Sequence, residues 1–248
     1  MKTIGTIRTT VLLMIASMAM LLTECRKDFI NQGPLAVKAK DFLSSKDYNA
    51  LEVEIAYVDG HRPTDAAVNH LLDMMKARLN KPDGINVTYK TIGSPRMSSF
   101  TIGDLDKVER DQRDIFTKHD HLTAFVLFLD APYAANSSAL GVAYGTTSIA
   151  VFESEIERYS GGISQPSRDI LEATVIEHEF GHLFGLVDNG TPMTTPHMDP
   201  SNNNHCNNSK CLMYYAVETS DVVANLIGSD VPQFDANCIA DLRANGGK

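Results

Sequence analysis

The chain has 248 residues, 43% hydrophobic and 21% charged, which excludes a disordered or low-complexity protein and suffices for one domain, or for two lobes around a cleft. Its formal net charge is −9 and no Lys/Arg cluster occurs. A surface that tracks phosphates needs such a cluster, so nucleic acid is not an expected partner.

In chain order, Lys2 and Arg8 precede an apolar run from Val11 to Leu22 that is too short to span a bilayer and has the form of an export signal. Leu21-Leu22-Thr23-Glu24-Cys25 resembles a bacterial lipobox with Cys25 as the lipidated residue, although Glu24 stands where that pattern has a small residue. A conventionally cleaved signal and a buried N-terminal helix are the alternatives. The expected organisation is a signal over 1–24, a lipid-anchored polar tether over 25–48 broken at Asn31-Gln32-Gly33-Pro34, and one domain over 49–248. The expected location is the cell envelope, at a membrane surface, as a monomer.

Leu51 to Val58 alternates apolar and polar residues and predicts a half-buried strand. Pro63-Thr64-Asp65 opens a helix carrying Val68, Leu71, Leu72, Met75 and Leu79. A strand over Ile85 to Ile92, a charged helix over about Asp104 to Lys118 and a fully buried strand over Leu122 to Leu129 follow. Gly141 to Gly145 and Ile149 to Phe152 are two further short strands. The alternation predicts an α/β fold with a mixed, twisted sheet.

Ile170 to Gly185 reads as the helix that carries the chemistry. It contains His178-Glu179-Phe180-Gly181-His182, followed by Gly185 and Asp188. Residues four apart share a helix face, so His178 and His182 can donate two imidazole nitrogens to one metal ion, with zinc the expected one. Glu179 is set to act as general base on water that the metal activates. Gly185 allows a sharp turn at the helix end, after which Asp188 would supply a third, carboxylate ligand. Two histidines and one carboxylate leave a coordination position free, as catalytic zinc requires.

The extended pattern resembles the metzincin metallopeptidases, whose signature is His-Glu-x-x-His-x-x-Gly-x-x-(His or Asp) and a later methionine turn. Asp188 matches the snapalysin-like minority. Cys206-x4-Cys211-Leu212-Met213 resembles the Cys-x4-Cys-x-Met run of archaemetzincins, with Met213 as the turn methionine, and Arg110-x-Gln112 resembles a pair that family carries on the helix before its central strand. The resemblance implies a zinc endopeptidase with an irregular C-terminal lobe and a protein or peptide substrate paired along the sheet edge. It also implies that Tyr215, two residues after Met213, approaches the metal as the tyrosine of astacins and serralysins does. Packing under the helix is the other role open to it.

Two departures leave alternatives. Residues 189–205 look like an insertion, and in the family a histidine directly precedes the first cysteine. His205 does so here and is the alternative third ligand, with His197 a further one. Family members hold a second, structural zinc with Cys-x4-Cys and a later Cys-x-x-Cys, but Asp235-Ala236-Asn237-Cys238 retains one cysteine of that pair. A disulfide involving Cys206 or Cys211 is therefore expected ahead of a second metal on Cys206, Cys211 and Cys238. A helix beginning near Asp235 should close the chain. The rival to an enzyme is a catalytically inactive or latent binding module of the same fold.

Overall fold

The computed structural model describes Val37 to Lys248. The expectations for the export signal and for Cys25 lie outside those residues. No helix among the described residues is long and apolar enough to cross a membrane.

A five-stranded sheet of order β2-β1-β3-β5-β4 organises the domain. Its strands are β1 (Ala50–Val58), β2 (Gly84–Ile92), β3 (His121–Leu129), β4 (Gly141–Tyr144) and β5 (Ser148–Phe152). β1 pairs in parallel with β2 and β3, and β3 pairs in parallel with β5. β4 alone is antiparallel and forms one edge.

Side chains alternate across a strand, so the apolar run in β3 serves two cores. Ala124, Val126 and Phe128 join the larger core with Val68, Leu71 and Met75 of α2 (Asp65–Arg78) and Val175 and Phe180 of α5 (Arg168–Leu183). Phe125, Leu127 and Leu129 join a smaller core with Phe100 and with Leu105 of α3 (Ile102–Gln112). α4 (Glu153–Tyr159) leaves β5 directly. Among the residues the sequence picked out on α3, Arg110 is exposed and Gln112 half-buried. Arg113 instead is the tied one, donating to Glu109 and to Thr123.

Residues 37–48, read from the sequence as tether, pack with the rest of the described chain. Within the expected tether lies α1 (Ala39–Leu43), with Phe42 and Leu43 fully buried and the Phe42 ring 5.8 Å from that of Phe184. The Lys81 ammonium donates to the carbonyls of Asp41, Ser44 and Tyr48 at 2.7, 2.7 and 2.8 Å, closing this segment onto the domain. Burial lowers that lysine to about 8. Phe42 and Leu43 dock this polar stretch as members of the larger core, to which Phe184 also belongs.

After Gly185 the chain is irregular. It forms a hairpin, β6 (Met198–Asp199) with β7 (Asn202–Cys206), a 3-10 turn over Tyr215–Glu218, a second over Ser220–Val222 and the short α6 (Val223–Leu226). The last helix, α7 (Ala236–Ala244), starts where expected, with Asp235 accepting from the backbone N–H groups of Asn237 and Cys238.

Candidate metal centre

α5 is buried along almost its whole length, and four of its ionisable residues, Glu172, Glu177, His178 and Glu179, expose nothing. A buried charge needs a partner. Glu172 accepts from Thr64 and Arg168, and Glu177 meets His70. His178 donates from Nδ1 to the Leu212 carbonyl at 2.6 Å. Both carboxylate oxygens of Glu179 have no hydrogen-bond partner. Burial first, and then the Glu218 carboxylate, push Glu179 well above the usual carboxylate range.

The helix delivers His178 and His182 with their Nε2 atoms 3.1 Å apart, the outcome of four-residue spacing on one face. Burial lowers His182 to about 4, so its imidazole is neutral and free to act as a ligand. The third residue in the group is His205, from β7, whose ring centroid lies 5.4 Å from that of His178 and 5.0 Å from that of His182. Its Nδ1 donates to the Asn203 carbonyl at 2.9 Å, which turns Nε2 inward. That Nε2 is buried and lies 3.0 Å from Oε1 of Glu218. Glu218 is the fourth member: the ligand atoms of His178, His182, His205 and Glu218 all lie within 4.8 Å of one another. Its carboxyl stays far below the usual range, since hydrogen bonds to the three histidines outweigh the opposing effect of burial.

Asp188 is not in this group. Gly185, Val187 and Asp188 all have positive φ, at 73°, 56° and 63°, and the chain turns outward so that Asp188 is exposed. What Gly185 serves is a close backbone approach. A Cβ there would stand 2.5 Å from Ala39 Cβ and 2.7 Å from the Thr191 nitrogen, which donates to the Gly185 carbonyl. Tyr215 opens the 3-10 turn and lies against Tyr214, with ring centroids 4.6 Å apart. The residue of that turn that reaches the histidines is Glu218. Met213 is fully buried under α5, and a Cβ on Gly181 would stand 2.2 Å from its sulfur.

The cysteines contradict the expected disulfide. Cys206, Cys211 and Cys238 are all free and buried. They converge: Cys211 Sγ is 3.6 Å from Cys238 Sγ, and Cys206 Sγ is 3.4 Å from His197 Nδ1 and 3.4 Å from Asp235. His197, Cys206, Asp235 and Cys238 form the second metal-competent group among the described residues. The far side of His197 donates from Nε2 to Asp241 at 2.7 Å, and Asp241 also accepts from Thr194, so the inserted stretch is tied to α7.

The archaemetzincin of Methanopyrus kandleri superposes on this structure with a TM-score of 0.53 at 15% identity, over 79% of this chain and 96% of that one. The fold is that of an archaemetzincin. A zinc-dependent peptidase of Methanocorpusculum labreanum is similar over 77% of this chain and 99% of its own, at TM-score 0.48 and 16% identity. Metalloproteinase-II from Bacteroides fragilis is similar over 84% of this chain and 60% of its own, at TM-score 0.42 and 14% identity. No protein-family model and no curated protein matches the sequence. Within the archaemetzincin fold the two polar clusters sit on either side of the His205-Cys206 peptide. One strand end, β7, thus feeds both.

Proposed function

We propose that the protein is a zinc-dependent endopeptidase whose metal is held by His178, His182 and His205, with Glu179 as general base. The observation that carries this reading is the convergence of three imidazoles beside a wholly buried carboxylate that has no other partner. An unpartnered buried carboxylate costs roughly several kcal/mol and is kept where chemistry uses it. The donor set also fits: carbonyls of Leu212 and Asn203 take the outer N–H of His178 and His205, leaving the inner nitrogens as lone-pair donors.

Zinc at this position supplies a lowered pKa for water and polarises the scissile carbonyl. Glu179 accepts the proton of the attacking water on a carboxylate oxygen and returns it to the departing amine nitrogen. The outer edge of β4, beside Glu179, receives the substrate backbone as an added antiparallel strand. His197, Cys206, Asp235 and Cys238, with Cys211 beside them, would hold a second, structural metal. Lipidation at Cys25 places the enzyme at a membrane surface, acting as a monomer on protein or peptide.

The test pairs the wild-type protein with Glu179→Gln in digestion of a peptide library read by mass spectrometry, and measures zinc stoichiometry in His205→Ala and Asp188→Ala. Cleavage by wild type alone, with a loss of zinc in His205→Ala and none in Asp188→Ala, is expected. Equal cleavage by Glu179→Gln, or zinc loss confined to Asp188→Ala, would overturn the assignment.

A further inference from the structure

We infer that Glu218 is a fourth ligand of the same metal and that it keeps the centre closed at rest. This rests on the zinc-peptidase reading above and adds a state to it.

Oε1 of Glu218 lies 2.9 Å from His182 Nε2, 3.0 Å from His205 Nε2 and 3.6 Å from His178 Nε2. Zinc binds nitrogen and oxygen at about 2.0–2.1 Å, so two ligands of a tetrahedral site stand about 3.3 Å apart. The three carboxylate distances, and the 3.1 Å between the two helix histidines, are edges of such a tetrahedron. An oxygen sitting at the centre of the cage would be about 2 Å from each nitrogen. Glu218 therefore takes the corner that a catalytic site leaves to water.

The backbone around Glu218 is built to hold it there. Leu140 N–H donates to the Glu218 carbonyl at 2.8 Å, Ala139 bridges Thr219, and Ser220 N–H donates to the Ser138 carbonyl at 3.0 Å. These bonds run antiparallel along the stretch that leads into β4. The Glu218 side chain is 33% exposed and can leave the metal by rotation about its own bonds, while its backbone stays in place. Closure and opening are thus a side-chain matter. A closed set of four protein ligands is the arrangement of structural sites, and it denies the fourth position to water and substrate alike. A peptide entering along the β4 edge has to displace this carboxylate before Glu179 can act.

The test uses cobalt in the full-length protein, comparing wild type with Glu218→Ala and the size-preserving Glu218→Gln, and reads visible absorption during azide titration alongside peptide cleavage. Azide should leave the wild-type spectrum unchanged and shift both variants, whose cleavage rate should rise about tenfold or more. An azide shift of equal size and midpoint in wild type and variants would overturn the proposal, as would identical cobalt spectra without azide. Variants that admit azide but cut no peptide support Glu218 as a ligand and remove the peptidase reading instead. Cobalt bound by none of the three would overturn both.

Discussion

A Cβ on Gly141 would stand 2.8 Å from Oε1 of Glu179 and 2.7 Å from Cγ1 of Val175. The first residue of β4 is therefore bare because α5 brings the Glu179 side chain against the strand at van der Waals range. Gly141→Ala should push Glu179 aside and lower kcat about a hundredfold, with metal content unchanged. Gly103→Ala on α3, where a Cβ meets nothing nearer than 3.8 Å, is the control and should leave activity as it was. Steady-state kinetics and metal analysis of the two variants check this.

The group of His197, Cys206, Asp235 and Cys238, with Cys211 3.6 Å from Cys238, predicts a metal-dependent lobe. Cys238→Ser or His197→Ala should lower Tm by about 10 °C, near 3–4 kcal/mol for a domain of this size, and chelation should do the same to wild type. Alkylation of denatured, unreduced protein followed by peptide mapping should label Cys206, Cys211 and Cys238 alike. Protection of any two of them would restore the disulfide.

Glu153 predicts a stability that falls as pH rises. Burial, and then the Glu172 carboxylate, raise it to about 10 despite Arg168 at 2.9 Å. The native state keeps a proton that the unfolded chain gives up above its ordinary value of 4.5. The linkage is unfavourable between these two pH values, at most about 1.4 kcal/mol per pH unit. Glu177, raised to about 7 by burial against the opposing effect of His70, acts with the same sign over the lower part of that window. Glu153→Gln should flatten the slope from pH 7 to 10 and leave below pH 7 only the contribution of Glu177. Denaturant unfolding across pH reads both.

Much of the architecture was legible because its causes are local. Alternation set β1, the continuous apolar run set β3, and four-residue spacing put His178 and His182 on one face of α5. Asp235 announced α7 as its cap. The tether failed as a reading because Phe42 and Leu43 bury against residues such as Phe184, far along the chain. Asp188 stays outside the histidine cluster for a related reason. Spacing from Gly185 pointed to Asp188, but the backbone stays left-handed at Val187 and Asp188 and turns that carboxylate to solvent.

By itself, then, the sequence determined the sheet, the helix that bears the motif and the pairing of His178 and His182 on one face of it, all of which follow from periodicity and side-chain type within a few residues. Only the tertiary structure decided that His205 and Glu218 join the two helix histidines, that Cys206 and Cys238 gather with His197 and Asp235, and that Gly141 makes room for Glu179. Those partners are separated by 10 to 40 or so positions, and no local rule carries their distance. They are brought together by the way β7 and the 3-10 turn after Met213 fold back beneath α5.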